Sequence, residues 1–346
     1  MPDRSFPRRI VCRAAMGFVA MLAAQVAASA QPADAFFRNR QISFVVGYNP
    51  GGSYDLYSSL AVNALSRFIP GNPSIVLKHM PGFGGLKAAN YLHTQAPRDG
   101  TTIGMVSQAA ALRQALGEAG IEFDARRLSW IGRLASAVEV TLAWRTSGVF
   151  TLDDARRREL VIAATAAGST TEILPRLMNL IAGTKFKIIK GYQGTTGGSL
   201  AMERGETEGT HETIDTLLFT KADWIRDNKV SVLVQYALQR HPAFPAVPAM
   251  VEVARTPEQR QILALFGGTA EIGRSIVGPP ELPPERLETL RRAFDAMTVD
   301  AGFRAEVARR NLDLGPLNGE TVQRLIEETL ATPRPVIDQA AAIANQ

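Results

Sequence analysis

The chain has 346 residues, 38 Lys and Arg against 33 Asp and Glu for a net charge of +5, and a single cysteine, Cys12. One cysteine excludes a disulfide framework and a cysteine metal site, and no basic run interleaved with aromatics is present, which argues against a nucleic-acid partner. Much of the charge is local: setting aside residues 1–30, with Arg4, Arg8, Arg9, Arg13 and Asp3, lowers it from +5 to +2.

That first segment reads as a secretory signal. A basic head is followed by the short apolar run Ala14 to Ala27 and by the small-x-small triplet Ala28-Ser29-Ala30, with cleavage expected after Ala30. The apolar run is shorter than the ~20 residues a membrane anchor needs, and no later stretch comes closer. The paired Arg8-Arg9 hint at a twin-arginine signal, but Ile10-Val11-Cys12 is not its usual continuation. The expected location is a periplasm, the mature protein not embedded in the membrane. Cys12 leaves with the signal, so a thiolate nucleophile is excluded as well. The remaining ~315 residues exceed what one core usually organises and predict two domains.

In the mature chain the first element is a β-branched run, Ile42 to Val46, which stops at Gly47. Tyr48 and the turn residues Asn49-Pro50-Gly51-Gly52 lead into helix-spaced Leu56, Leu60, Ala61 and Leu65. This is strand, glycine loop, helix. Amides that open such a helix carry no intrahelical partner and roughly half a positive charge, so the loop is a candidate anion site. The pattern repeats: Ser74 to Lys78 as strand, Pro81-Gly82-Phe83-Gly84-Gly85 as loop, Leu86 to Thr94 as helix. Asp99-Gly100 then turns into the strand Thr101 to Val106, and Ser107-Gln108 opens another helix. Alternation at this spacing predicts α/β architecture with a mainly parallel sheet, whose loops beginning at Tyr48, Pro81 and Ser107 gather on one edge.

From Ile131 to Trp144 apolar residues lack a helical period and are read as strands leaving the first sheet for a second. A second alternating set follows. Leu160 to Ala164 is a strand, Ala166 to Thr171 a small-residue loop, Ile173 to Ile181 a helix and Phe186 to Lys190 a strand. Gly191 to Gly198 forms a loop before a short helix, and Thr207 to His211 and Ser231 to Gln235 are the remaining strands. Beyond the proline-marked segment His241 to Pro248 come a helix over Pro257 to Phe266, a strand over Ile272 to Val277 and a helical tail. The tail is expected to recross to the first unit, leaving residues 36–138 with 251–346 as one lobe, 139–250 as the other and a cleft between them.

The ordered set of Tyr-Asn-Pro-Gly-Gly-x-x-Asp at residues 48–55, Pro-Gly-x-Gly-Gly at 81–85, Arg98-Asp99-Gly100-Thr101, Gly191-Tyr192-Gln193-Gly194 and Phe244-Pro245-x-Val247-Pro248 with Glu252 resembles the extracytoplasmic solute-binding proteins of tripartite tricarboxylate transporters, the Bug or TctC family. The resemblance covers the whole mature chain. It implies a two-lobed Venus-flytrap receptor, without cofactor, that captures a small organic acid by hinge closure and hands it to cognate membrane transporter subunits. It further implies ligand contacts from Tyr48, Gly51, Gly52, Ser53, Asp55, Phe83 and Gly84 on one lobe, and from Ser169, Thr170, Thr171, Tyr192, Gly194 and Thr195 on the other. His79 stands where the family usually has Asn and Gly191 where it often has Pro, so citrate does not follow.

Plainer readings stand beside these. Asp55 suits a first-turn capping acid as well as a ligand contact, and Ser169-Thr170-Thr171 with Glu172 reads as an N-cap cluster. Gly82-Phe83-Gly84-Gly85 mimics a dinucleotide fingerprint, but Lys87 occupies the third glycine position. His211-Glu212, expected where a second-lobe strand ends, is either loop surface or, through Glu212, an edge-of-cleft contact. His79, His93, His211 and His241 are scattered, and no nucleophile elbow or His-Glu-x-x-His pair occurs, which argues against an enzyme. A monomer is expected. A receptor feeding a signalling pathway would carry the same pocket, and a periplasmic hydrolase or lyase is the remaining alternative.

Overall fold

The computed structural model describes residues 36–165 and 169–344; the expected signal segment and Ala166 to Gly168 lie outside the described residues. Among the described residues, eleven strands form two sheets. The first orders β11 (Leu317–Asn318), β4 (Ser129–Arg133), β10 (Ser275–Gly278), β3 (Thr102–Met105), β1 (Gln41–Val46) and β2 (Ser74–His79). The second orders β7 (Phe186–Ile189), β6 (Leu160–Ala163), β8 (Gly209–Thr213), β5 (Glu139–Trp144) and β9 (Val230–Tyr236).

The α/β class holds, whereas the sheets are mixed rather than mainly parallel. β2, β1 and β3 run parallel, as do β7, β6 and β8, each set joined by helical crossovers. β10 and β11 enter the first sheet antiparallel, and β5 pairs antiparallel with both β8 and β9. β5 and β10 are the strands on which the chain arrives from the other sheet, so no crossover helix within one sheet dictates their direction.

The first set carries α1 (Ser53–Leu65) after β1, α2 (Leu86–Thr94) after β2 and α3 (Ala110–Ala115) after β3. In the second, α4 (Leu152–Arg157) precedes β6, α5 (Thr170–Ala182) and α6 (Gly194–Glu203) follow β6 and β7, and α7 (Ile214–Phe219) and α8 (Ala222–Arg226) link β8 to β9. Then come α9 (Pro257–Gly267), α10 (Thr269–Ile272), α11 (Pro284–Val299), α12 (Ala301–Arg309), α13 (Gly319–Leu330) and α14 (Arg334–Ala344). No described helix is long and apolar enough to cross a membrane.

The tail divides. Phe294, Met297 and Phe303 of α11 and α12 join the core with Phe44, Leu60 and Ile103 of the first sheet's units. By contrast Ile262 and Phe266 of α9, with Ile337 and Ala340 of α14, pack with Leu160, Ile162, Leu177 and Met178 in the core of the second. The segment 251–346, expected with the first lobe, therefore contributes to both cores. The apolar spacing of each helix was readable; the side it packs on depends on chain reversal at loops.

Two crossings between the sheets run alongside each other. Residues 134–138 lead from β4 to β5 and residues 268–274 lead back to β10, bonded through Leu134 N–H to Arg274 O at 3.0 Å, Arg274 N–H to Ala135 O at 2.9 Å and Ala137 N–H to Ala270 O at 2.9 Å. Gly273 makes this approach possible: its φ is +49°, and a Cβ there would lie 2.2 Å from Ala135 O.

Candidate functional site

Because β1, β2 and β3 are parallel, the loops that follow them share one sheet edge, and the loops after β6 and β7 share an edge with the end of β8. The two edges meet. Gln108, just after β3, donates through Nε2 to Glu139 Oε1 at the start of β5, 3.1 Å away, and Glu139 Oε2 lies 2.7 Å from His211 Nε2 on β8. The antiparallel register sets Glu139 against Thr213, so the start of β5 lies beside the end of β8.

On the first edge, Tyr48 and Tyr54 stack at 4.0 Å. The Tyr48 hydroxyl donates to Gly84 O at 3.1 Å, tying the first glycine loop to the second. The ring lies so near Gly85, whose φ is +88°, that a Cβ there would come within 2.9 Å of it. Tyr54 Oη accepts from Gln108 N–H at 2.9 Å, bringing in the third loop, where Ser107 is buried and its Oγ accepts from Ala109 N–H at 3.3 Å. Burial, with Tyr54 beside it, raises the Tyr48 phenol well above its ordinary value, and burial raises Tyr54 too. Both remain protonated hydroxyls at neutral pH, polar without being charged.

Gly52 precedes α1 in extended backbone, φ −90° and ψ 174°, with open space where a Cβ would stand and no side chain to cap the helix. Asp55 is committed within the loop: its Oδ2 accepts from Gly51 N–H at 2.9 Å and its Oδ1 lies 2.7 Å from His79 Nε2. This bond to the amide before the cap position of α1 is a third role, beside the first-turn capping and the ligand contact expected of Asp55. Ser53 is buried, and its Oγ accepts at 2.7 Å from Arg274 Nη2. Phe83 is exposed, with φ +51°; Arg113 stands over its ring at 5.0 Å and donates to its carbonyl at 3.1 Å.

On the second edge, the Ser169, Thr165 and Thr171 hydroxyls cluster at 2.8 Å and 3.0 Å around Thr171 Oγ1, which also accepts from Thr165 N–H at 2.9 Å. Thr170 begins α5, half-buried, and Glu172 pairs with Arg176 and, at 3.1 Å, with Lys190. Tyr192 N–H donates to Ala164 O at 3.3 Å, which lays the loop after β7 beside the end of β6. Gly194 opens α6 with φ +69° and nothing near its missing Cβ. Ser199 Oγ donates to the Glu212 carboxyl at 2.7 Å, and Thr195 acts on the same carboxyl.

Glu212 lies inside β8 and is buried, as is His211. The loop-surface reading of this pair is therefore corrected: β8 extends to Thr213, two residues past the expected end, because it pairs with β5. Burial raises the Glu212 carboxyl, against the bonds from Ser199 and Thr195 that favour its charged form.

Comparison with known proteins agrees with this fold. The model of the tripartite tricarboxylate transporter family receptor, TctC, matches residues 67–341. The chain belongs to that family. A curated relative from Cupriavidus necator, described as a UPF0065 protein in the gbd 5' region, is 24% identical over 343 residues, covering 96% of this chain and 97% of its own. Among solved structures, an R. palustris protein with adipate superposes with a TM-score of 0.67 at 20% identity, over 88% of this chain and 97% of that one. MatC from Rhodopseudomonas palustris with bound malate gives 0.62 at 18%, over 88% and 99%. A TctC solute binding protein from Polaromonas gives 0.61 at 18%, over 87% and 98%. At such identities the structures establish the fold, the two-lobed periplasmic-binding-protein architecture.

A fully buried guanidinium of the receptor escaped the sequence. Arg274, fully buried at the return crossing, donates to Ser53 Oγ, to Gln108 Oε1 at 3.1 Å and to Asp215 Oδ2 at 3.4 Å, and lies 4.2 Å from the centre of the Tyr54 ring. One side chain thus joins the first and third edge loops of one sheet to α7 of the other. Asp215 is buried, which raises its carboxyl, while the guanidinium opposes that rise. Arg274 sits 221 residues from Ser53, and no local pattern signals the contact. Gln108 had a signal, since it follows Ser107 at the predicted helix opening; Glu139 had none beyond its place at a strand start. No cluster of three or more His, Cys, Asp or Glu able to hold a metal occurs among the described residues.

Proposed function

We propose that this receptor captures a small carboxylate outside the cytoplasm, by closure of two lobes about the paired crossings, and delivers it to a tripartite-type membrane transporter without altering it. The observation that carries this reading is the α1 start: Gly52, with open space at its missing Cβ, leaves the first amides of the helix without a side-chain cap, at the edge that faces the second sheet. Two protonated phenols and a ring of small hydroxyls stand around this cleft. Of the basic side chains nearby, Arg113 is paired with Glu118 and Arg274 with Ser53 and Asp215, while the His79 ring bonds Asp55.

Neutral donors suit a carrier. Each bond to a carboxylate contributes on the order of 1.5–3 kcal/mol, enough in combination for capture. Release then requires no ion pair to be broken. The ligand residues proposed are Tyr48, Gly51, Gly52, Ser53, Phe83, Gly84 and Ser107 on one side, with Ser169, Thr170, Thr171, Tyr192, Gly194, Thr195 and Glu212 on the other; Asp55 holds the loop they share. The lobes are taken as the two sheets with their own cores, α9 and α14 moving with the second. Removal of residues 1–30 in the periplasm and a monomeric mature form complete the reading.

Calorimetric titration of the purified protein with mono-, di- and tricarboxylates tests it, alongside Gly52→Val. At least one acid binds, and the variant, whose branched side chain shields the amides, loses tenfold or more in affinity with an unchanged melting curve. Equal affinity in Gly52→Val, or no binding by any acid, would overturn the assignment.

A further inference from the structure

Between the loop after β3 and the start of α5 lies a cavity of about 420 Å³. Its walls are mostly apolar: Leu112 and Leu116 from α3 and its end, Ile173 and Leu174 from α5, and Phe266 from α9. Ala109, next to Gln108, and Thr170, next to Ser169, also line it, so a candidate loop of each sheet ends at its wall. The volume falls near the small end of ordinary ligand pockets, room for a single ring or a short chain.

Charge decides what fits. The cation on this wall is Arg113, and its guanidinium grips both oxygens of Glu118 while donating to Phe83 O at 3.1 Å. Glu118 lines the same cavity. A second carboxylate entering here would meet apolar carbon, a guanidinium already engaged and a like charge, and would lose its hydration for little return. An apolar body gains in proportion to the area it removes from water.

We infer that the receptor's ligand is a monocarboxylate with an apolar body, aryl or short-chain aliphatic, its carboxylate at the loops after β1, β3 and β6 and its body in this cavity. The inference rests on the carboxylate reading above and adds the chemistry of the ligand's other end. Leu116 is the side chain that tests it, because it is only half-buried and replaceable without emptying the core.

The experiment is calorimetric titration of the full chain with benzoate, phenylacetate, hexanoate and octanoate against malate, adipate and citrate, and with the amide of the best acid. An apolar acid should bind at least tenfold more tightly than any di- or tricarboxylate. Leu116→Trp, which fills the cavity, should weaken that acid at least tenfold. Leu116→Ala, which enlarges it, should raise the preference for octanoate over hexanoate at least threefold. If malate, adipate or citrate binds tightest, or if neither Leu116 variant changes any affinity, this inference falls and the carboxylate reading stands. If no acid binds, or the amide binds as well as its acid, both fall.

Discussion

Four helix starts away from the facing edges differ from four at those edges; α7, capped by Thr213 at the end of β8, and α11, uncapped after Pro283, stand outside the contrast. α4, α9, α12 and α13 begin with Thr151, Thr256, Asp300 and Asn318, each of whose side chains accepts a bond from an amide of its own first turn. At the edges, α1, α2, α3 and α6 begin after Gly52, Gly85, Ala109 and Gln193, and none makes a side-chain cap bond. An outer helix satisfies its amides locally. The edge starts are instead held by distant groups: Arg274 on Ser53, Tyr48 on Gly84, Gln108 on Tyr54. A capped start is stable by itself, whereas an uncapped one held from elsewhere keeps its amides for something else.

The largest break in this contrast comes from Arg274→Met. It removes the tether of Ser53 and Gln108 and leaves Asp215 buried without its cation, so a loss of about 3–5 kcal/mol is expected in urea unfolding. A loss under 1 kcal/mol would show that the edge does not depend on it. Next, Gly52→Asp installs at α1 the cap the outer helices have. Its backbone already has the extended geometry a cap requires, so stability should hold or rise by about 0.5–1 kcal/mol while carboxylate affinity falls by about two orders of magnitude, seen by paired melting and titration. Affinity intact in the variant would erase the functional meaning of the contrast.

Thr256→Ala makes the reverse change on an outer helix. It should cost about 1 kcal/mol and leave affinity within twofold, since α9's start performs only its own capping. The smallest effect concerns Glu212. Burial raises its folded-state value, so its contribution to stability is complete below the ordinary carboxyl range and declines as pH rises through the raised value. Glu212→Gln should therefore melt a few degrees above the parent at pH 7 and match it at pH 4. The opposite order would place the charged carboxylate as the native form.

The second edge shows where reading the chain stops. The loop after β6 was found because Ser169, Thr170 and Thr171 are small hydroxylic residues between an apolar strand and an apolar helix. Glu212 reads as a strand end in the sequence because β8 is polar: Thr210, His211, Glu212 and Thr213 give no apolar run, yet all but Thr213 are buried. Their partners, Glu139, Ser199 and Tyr236, come from three separate elements, and only those partners make burial tolerable.

What the sequence determined by itself are the features with local causes. Glycine pairs after β-branched runs set strand-loop-helix units, helix periods set the crossovers, and the order of these pieces marks the family. What tertiary structure decided are the features whose causes lie far apart in the chain: the mixed sheets, the division of the tail between two cores, the place of Arg274 and the apolar cavity beside α5. The reason is physical. A turn or a helix start is specified by a few adjacent residues, whereas a buried charge or a cavity exists only once segments some two hundred residues apart are packed together, and its energy depends on all of them at once.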